Sequence, residues 1–321
     1  MKLGVMNPVL AGMSAKDAFA YLGSLGVQTV EIGAGGYPGN AHLKPEELIG
    51  KPDKIKEYKD MIASNGLEIS AISCHGNAIH PDKETAAKFH DDFVGAMRVA
   101  AELGVDTVIG FSGCPGDCEN SKYPNWVTCP WPDDNLKILD WQWNEVVIPY
   151  WTKTAEYAKS LGIKKIAFEM HPSFVVYNPE TLLKLRAAVG DIIGANFDPS
   201  HLFWQGIDPS AAIVALKGAI HHFHAKDTLI DKRNTEVNGV LDTKSYGDIL
   251  ERSWVFRTVG YGHSREEWCK IISALKATGY DGAISIEHED ALMSSKEGLE
   301  KAVAFLKDIL IYETAGEAWW F

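Results

Sequence analysis

Four ionisable residues close apolar runs in the second half of the chain, and their types suit a metal ion. The run KKIAFEM carries Glu169, IIGANFD ends at Asp198, AIHHFHAKD carries His224 and GAISIEHED carries Glu287. Three carboxylates held close together repel one another and raise one another's pKa values, and a divalent cation removes that repulsion. Carboxylate and imidazole ligands without thiolates favour Mn²⁺, Mg²⁺ or Co²⁺ over a structural zinc, with Zn²⁺ still a candidate. These residues therefore predict one divalent metal site, with Mn²⁺ preferred.

Each of these acids also has a purely structural interpretation. An acid that follows a strand often caps the next helix by accepting hydrogen bonds from its first backbone N–H groups. Asp198, directly before PSH, suits that role. The metal hypothesis depends on all four residues reaching one place, which requires the strands that carry them to be neighbours.

Six further residues are candidate substrate contacts: His201, His75, His171, Arg257, Trp204 and Lys226. Next to a metal, His201 would donate to a substrate oxygen or orient Asp198. His75 and Glu31 end two earlier apolar runs, SCHGN and VEIG. Both could meet substrate hydroxyls or serve a structural role.

The charged residues that follow His224 have a second interpretation as surface groups. Lys226, Arg233 and Arg257 lie on a long insertion, where a charged side chain is usually solvated. Arg257 has apolar and aromatic neighbours in SWVFRTVGYGH, which favours an inward direction. Asp227 could accept a hydrogen bond from a ring nitrogen or hold Lys226.

A recurring junction shows which elements position these residues. Seven times along the chain an amphipathic helix ends at Gly and a short apolar strand follows, as in AELGVDTVIGFSG and KSLGIKKIAFEM. A glycine ends a helix readily because it adopts the left-handed conformation. With the opening strand KLGVM and a final helix at about 294–310, the chain has eight strand–helix units. Apolar strands that alternate with helices form a parallel sheet covered on both faces. We therefore predict an α/β fold, a (β/α)₈ TIM barrel, as a single domain over residues 1–321.

The spacing of the four candidate ligands agrees with this barrel. The intervals between them are 29, 26 and 63 residues, so the first two match about one strand–helix unit each. The third contains one unit and a long insertion. Insertions at about 112–140 and 226–265 follow the fourth and seventh strands and are expected on the catalytic face, at the carboxyl ends of the strands. The glycine run GAGGYPG at 33–39 is not a dinucleotide fingerprint, because no helix opens from it.

Composition excludes several classes of function. The formal net charge of −12 and the absence of a Lys/Arg block argue against a nucleic-acid partner. No apolar run approaches the ~18 residues of a membrane helix, and the N-terminal sequence lacks the apolar core of a signal peptide. Five cysteines suit free thiols in a reducing cytoplasm, the alternative being a metal or disulfide cluster of Cys114, Cys118 and Cys129. The apolar tail AWWF at 318–321 is expected to be a packing or subunit contact, so the chain could be a homo-oligomer or pair with another subunit.

The motifs FEMHP, NFDPSHLFW, HFHAKD and GYDGAISIEHED resemble those of the xylose-isomerase-like superfamily. The resemblance spans nearly the whole chain and points to the sugar phosphate isomerase/epimerase group, with its ketose 3-epimerases and inosose dehydratases. It implies that Glu169, Asp198, His224 and Glu287 bind a divalent metal, that both glutamates act as acid/base groups on opposite faces of the substrate, and that His201 contacts a substrate oxygen. The chain departs from the 3-epimerases at Arg233, which lies nine residues after the metal histidine. VGYGHS at 259–264 is its single candidate phosphate cradle.

The expected activity is that of a metal-dependent sugar isomerase or epimerase. It would abstract a proton next to a carbonyl and pass through a metal-stabilised enediolate. The same enolate could instead lose a leaving group, which would make the enzyme a lyase or dehydratase of 3-keto-glycosides or inososes. An endonuclease IV-like DNA repair enzyme and a metal-free sugar-binding barrel are the alternatives of other classes. Six aromatic residues are candidates to stack on sugar faces: Trp126, Trp131, Phe203, Trp204, Trp254 and Phe256.

Overall fold

Eight parallel strands form a closed barrel in the computed structural model, which describes residues 1–317 and 320. The barrel strands are β1 (Lys2–Met6), β2 (Thr29–Gly33), β3 (Glu68–Ser73), β4 (Thr107–Gly110), β5 (Lys165–Glu169), β6 (Ile193–Phe197), β7 (Ile220–Ala225) and β10 (Ala283–Ile286). Two further strands, β8 (Asp227–Ile230) and β9 (Trp254–Arg257), lie between β7 and β10 in the sequence. Around the barrel the order is β1-β10-β7-β6-β5-β4-β3-β2, while β8 and β9 form a separate antiparallel pair. The predicted (β/α)₈ fold is confirmed. The strands β5, β6, β7 and β10 that carry the four candidate ligands are consecutive neighbours.

Helices surround the barrel and connect its strands. They are α1 (Ala15–Ser24), α2 (Pro45–Leu48), α3 (Pro52–Ala63), α4 (Lys83–Leu103), α5 (Asp134–Trp141), α6 (Ile148–Ser160), α7 (Pro179–Val189), α8 (Pro199–Phe203), α9 (Pro209–Ala215), α10 (Lys232–Asn238), α11 (Arg265–Ala277) and α12 (Ser295–Ile309). Several begin at a residue whose side chain accepts from the first turn, as Ser264 does for α11 and Ser294 for α12. At the end of α4, Gly104 adopts φ 77°, the left-handed conformation expected of the glycine in these junctions.

The two long segments take different forms. Between β4 and β5, the chain runs through an irregular stretch into α5 and a π-helical segment (Gln142–Val147) that continues into α6. Between β7 and β10, the β8–β9 pair and α10 form a small unit beside the ends of the barrel strands. Asp227 holds this unit together: its carboxylate accepts the backbone N–H groups of Gly260, Gly262 and His263, at 2.9, 3.1 and 3.0 Å, as well as the indole N–H of Trp268 at 3.0 Å.

Three other features bear on the sequence-based expectations. No disulfide joins the five cysteines in the described part of the chain, and of the three considered as a cluster Cys114 is buried whereas Cys118 and Cys129 are exposed. Over residues 1–317 and 320, no helix is both long enough and apolar enough to cross a membrane. In the tail at 318–321, for which we expect a packing or subunit contact, residues 318, 319 and 321 lie outside the described residues.

Candidate metal centre

The barrel brings the four predicted ligands to one point at its carboxyl end. Glu169 is the last residue of β5, Asp198 and Glu287 directly follow β6 and β10, and His224 is the penultimate residue of β7. Each offers one ligand atom, and these atoms all lie within 4.8 Å of one another. His224 Nδ1 lies 3.0 Å from Glu287 Oε2 and 3.4 Å from Glu169 Oε2. The side chains of Asp198 and His224 are fully buried, whereas that of Glu287 is 16% exposed.

The ligand atoms of this cluster fit a cation. Asp198 Oδ2, His224 Nδ1 and Glu287 Oε2 are buried and make no hydrogen bond within the described part of the chain, and the two carboxylate oxygens share a single ammonium, that of Lys226. Three buried carboxylates beside one lysine leave negative charge uncompensated, and buried charge of this kind needs an explanation. A divalent cation held by these atoms and Glu169 would supply it, with three carboxylates and one imidazole as the donor set.

Asp198 combines both roles considered from the sequence. Its Oδ1 accepts the backbone N–H of Ser200 at 2.8 Å and so caps α8. Its Oδ2 faces the cluster. Burial raises the pKa of Asp198 to about 7, and the negative charges of Glu169 and Glu287 add to that rise, although Lys226 opposes it. The cap fixes the carboxylate so that one oxygen stays available at the centre.

Glu31, in the interior of the barrel, orients the ring of His224. The imidazole Nε2 lies 2.8 Å from Glu31 Oε2, and Glu31 also accepts from the hydroxyls of Ser73 and Ser285. Burial works against ionisation of Glu31, but its contacts with His224 and His222 and the hydrogen bond from Ser73 together lower the pKa of Glu31 to about 2. A histidine that donates Nε2–H to a carboxylate presents its Nδ1 lone pair to a metal. Glu31, for which the sequence suggested contact with substrate hydroxyls, therefore lies inside the barrel and contacts His224.

Two histidines predicted to contact substrate, His201 and His75, lie against Glu169. His201 Nε2 lies 2.9 Å from Glu169 Oε1, and His75 Nε2 lies 3.0 Å from Glu169 Oε2. Burial lowers the pKa of His201 to about 3, so this ring is neutral and donates its single N–H to a carboxylate. Although burial opposes ionisation of Glu169, the hydrogen bonds from His201 and His75 and the nearby ring of His224 lower its pKa well below the usual value. His171 lies beside His201, with 4.0 Å between the ring centroids.

Lys226 is buried in the cluster, which corrects its interpretation as a solvated surface group. Its side chain is 2% exposed, and Nζ lies 3.1 Å from Asp198 Oδ2, 2.9 Å from Glu287 Oε2 and 3.1 Å from Glu289 Oε2. Burial alone would lower the pKa of Lys226, but the surrounding carboxylates raise it well above the usual value. A charged ammonium therefore belongs to the centre, and Lys226 remains a candidate to contact substrate.

Two other predicted substrate contacts lie away from the ligand cluster. Arg257 donates from Nε to both oxygens of Asp290, at 3.1 and 3.2 Å. Trp204 is buried and stacks on Trp254, with 4.6 Å between the ring centroids and 4° between the planes. Their place depends on the β8–β9 pair, whose antiparallel pairing is not apparent in the sequence. Arg233 is exposed, as expected.

Two cavities adjoin the cluster. The acidic cavity, about 400 Å³, is lined by Glu169, Glu287, Glu289 and His75 among others. A larger cavity of about 690 Å³ lies beside it and shares Glu289. Both volumes lie in the range of small-molecule sites.

Comparison with known proteins agrees with the barrel and its centre. The sequence profile described as xylose isomerase-like TIM barrel matches residues 19–309. The chain belongs to this family. It is 39% identical to the uncharacterized protein YfiH of Bacillus subtilis (strain 168) over 313 residues, which cover 97% of this chain and 99% of that protein.

Solved structures share the fold at low sequence identity. The IolI protein with a bound zinc atom has a TM-score of 0.66 and 18% identity, covering 97% of this chain and 98% of that one. The probable 3-DHS dehydratase AsbF of Bacillus anthracis has a TM-score of 0.65 and 15% identity, covering 96% and 99%. An L-ribulose 3-epimerase has a TM-score of 0.59 and 20% identity, covering 99% and 89%. Epimerases and dehydratases are thus both found among proteins with this fold.

Proposed function

We propose that this protein is a divalent-metal-dependent sugar isomerase or epimerase that moves a proton next to a substrate carbonyl. The observation that carries the proposal is the approach of two glutamates to His224 Nδ1 from β5 and β10, two strands separated by β6 and β7. A substrate at this point would lie between two carboxylates that reach it from different sides. Glu169, Asp198, His224 and Glu287 would hold the cation, with Mn²⁺ preferred for a ligand set of mostly carboxylate oxygens.

The chain's own residues supply the proton transfers. One glutamate removes the proton from the carbon beside the carbonyl, and the other returns a proton to the opposite face, which inverts that carbon. When bound, the cation would supply Lewis-acid polarisation of the carbonyl and stabilise the developing negative charge. His201 and His75 keep Glu169 ionised and fixed through their hydrogen bonds, so Glu169 suits the role of base. Lys226, 2.9 Å from Glu287 Oε2, would offer a second positive charge to the substrate oxygens.

The same proton abstraction also supports a second outcome. If the substrate carries a leaving group on the carbon β to the carbonyl, the electron pair released by deprotonation expels it and the reaction becomes an elimination. The dehydratase among the structural neighbours is the specific observation that favours keeping this alternative. Its substrates would be inososes or 3-keto-glycosides.

Proton exchange in D₂O tests both outcomes at once. Ketoses, inososes and 3-keto-glycosides are incubated with the Mn²⁺-loaded protein, then freed of protein and metal and examined by NMR. We expect deuterium at the carbon next to the carbonyl, with an epimer or isomer as product, whereas an unsaturated product would identify the lyase. Turnover that proceeds without deuterium incorporation would favour hydride transfer and contradict the two-carboxylate scheme.

Substitutions of the two glutamates test their roles. Glu169→Gln and Glu287→Gln each keep the shape of the side chain and remove the base, so we expect exchange to fall by at least about 10²-fold. Glu180→Gln, on the exposed start of α7, is the matched control and should exchange normally. Normal exchange in either the Glu169→Gln or the Glu287→Gln variant, or full activity after EDTA treatment, would refute the proposal.

A further inference from the structure

The larger cavity beside the metal centre is walled by aromatic rings. We call it the aromatic cavity and define it by Tyr37, Phe111, Phe174, Tyr246 and Phe256, which line it together with the polar residues His171, Glu289 and Asp290. Tyr37 is 61% exposed and Tyr246 is 55% exposed, so these large rings stand at a mouth open to solvent. Exposed aromatic surface gathered in one place indicates a binding site more often than packing.

The aromatic rings of this cavity stack on one another in pairs. Phe111 stacks on Phe174 with 4.2 Å between the centroids and 20° between the planes. Tyr246 stacks on Phe256 with 5.7 Å between the centroids and the same angle. The first pair comes from the chain after β4 and β5, and the second from the insertion between β7 and β10. The aromatic walls are therefore built by loops and by the β8–β9 pair, the parts of a barrel that select the substrate.

The aromatic cavity is continuous with the metal centre. Tyr37, Phe111 and Glu289 line both the aromatic and the acidic cavity. The Phe111 ring lies 4.7 Å from that of His75, which holds Glu169. A single ligand can therefore reach from the carboxylates into the aromatic rings.

The other wall makes the same connection. The Phe256 ring lies 5.3 Å from that of His201, and Lys226 Nζ lies 4.7 Å from its centroid. Both residues belong to the metal centre, since His201 holds Glu169 and Lys226 contacts Asp198. In a ligand that fills both places, the group bound by the aromatic rings must therefore be attached to the reacting group without a long linker.

The lining of this cavity suits a planar apolar group better than a second sugar ring. Each sugar hydroxyl brought out of water needs a new partner, and an unsatisfied one weakens binding. The walls add Val255 and Ala291 to the aromatic rings. Of the polar lining groups, Asp290 is already used by Arg257 and by the backbone N–H of Thr258. Aromatic faces instead stack on a planar apolar ring.

From this arrangement we propose that the substrate is a keto-sugar derivative with a planar apolar substituent, such as the aryl group of a 3-keto-glycoside, held in the aromatic cavity while the sugar ring with its carbonyl lies at the metal centre. The assignment of the sugar end rests on the proposed function. The aromatic cavity also separates this class from free ketoses, which carry nothing to place there.

Saturation-transfer NMR on the full chain loaded with diamagnetic Zn²⁺ tests the substrate class by binding alone. The probes are phenyl D-glucopyranoside and methyl D-glucopyranoside, each as both anomers. We expect the phenyl protons to receive the strongest saturation and the phenyl compound to bind about tenfold or more tightly than the methyl one. Equal affinities, or no binding of either phenyl anomer, would overturn the proposal.

Two variants locate the effect in the aromatic cavity. Phe256→Leu keeps an apolar side chain but removes the ring, and Tyr246→Ala removes an exposed ring; both should reduce the phenyl advantage to about twofold or less. Tyr123→Ala, which removes a 79% exposed ring from the other insertion, should retain it. An advantage that survives both cavity substitutions would also overturn the proposal. Since no turnover is needed, a missing deuterium exchange would refute the proposed function and leave this binding result standing.

Discussion

Replacement of Glu31 by Gln tests whether the Glu31 carboxylate orients His224, the candidate metal ligand. Glu31 is fully buried in the barrel and accepts from His224 Nε2 at 2.8 Å and from Ser285 Oγ at 2.9 Å. Gln keeps the size and one acceptor oxygen, and the Ser73 and Ser285 hydroxyls can rotate to accept from its amide, so we expect the fold to survive. The substitution removes the negative charge that Glu31 places beside His224.

The size of the effect follows from that hydrogen bond. A hydrogen bond to a charged group contributes about 1.5–3 kcal/mol. If the metal-bound form loses this free energy, metal binding becomes roughly 10–100-fold weaker. That is the usual effect of removing the hydrogen-bond partner of a metal-bound histidine. Titration calorimetry with Mn²⁺ and Zn²⁺ measures the affinity, and ¹⁵N–¹H correlation spectra of the Zn²⁺ form report which His224 nitrogen carries the proton.

The matched control is Glu68→Gln, the same chemical change on β3. Glu68 pairs with Lys2 at the surface, where both side chains are largely exposed. We expect its metal affinity to match that of the unsubstituted protein. If Glu31→Gln also binds both metals within about twofold of the unsubstituted protein, with the His224 proton still on Nε2, the argument that the Glu31 charge orients this ligand is wrong.

Three further predictions concern the charges around the centre. Lys226→Met should lower the free energy of unfolding of the metal-free protein by about 3–5 kcal/mol in urea denaturation, because it leaves buried carboxylates unpaired. The same substitution should raise the Mn²⁺ affinity about tenfold or more, because it removes a positive charge from the centre. A free energy of unfolding equal to that of the unsubstituted protein would contradict this. Asp227→Ala should cost about 3–5 kcal/mol, since it strips the acceptor from several N–H groups, whereas the exposed Asp248→Ala should cost less than about 0.5 kcal/mol. Metal analysis of the purified protein should find about one divalent ion per chain, and a metal-free protein indifferent to EDTA would refute the metal centre.

The sequence contained enough to predict the barrel and the meeting of four side chains, for a simple geometric reason. Parallel strands all end on one face of a barrel, so an ionisable residue at the end of each strand points to a common place. Glu169, Asp198, His224 and Glu287 follow this rule. Glu31 does not, because it lies in the middle of β2, where the interior of the barrel is polar. A single acid within the apolar run TVEIG was the available signal.

Other features depend on tertiary contacts that local patterns do not encode. Lys226 directly follows β7, in the same position as the predicted ligands, yet its burial is decided by carboxylates that are distant in the sequence, such as Glu287. Arg257 is directed by Asp290, and Trp204 by its stacking on Trp254. The positions of Arg257 and Trp254 need the antiparallel pairing of β8 with β9, whose strands are separated by 23 residues that include one helix.

The contacts of Lys226 bear on how the centre would accept a cation. Nζ lies near Asp198 Oδ2 and Glu287 Oε2, two of the buried atoms that make no hydrogen bond in the described chain and that would ligate the metal. An ammonium and a divalent ion that share these oxygens repel each other, so each weakens the other's hold. Glu289, whose side chain is 50% exposed, offers Nζ a third oxygen at 3.1 Å, farther from the ligand set. A shift of Nζ toward Glu289 would keep Lys226 paired while the metal binds. The ammonium would then lie beside Glu289, which lines both the acidic and the aromatic cavity.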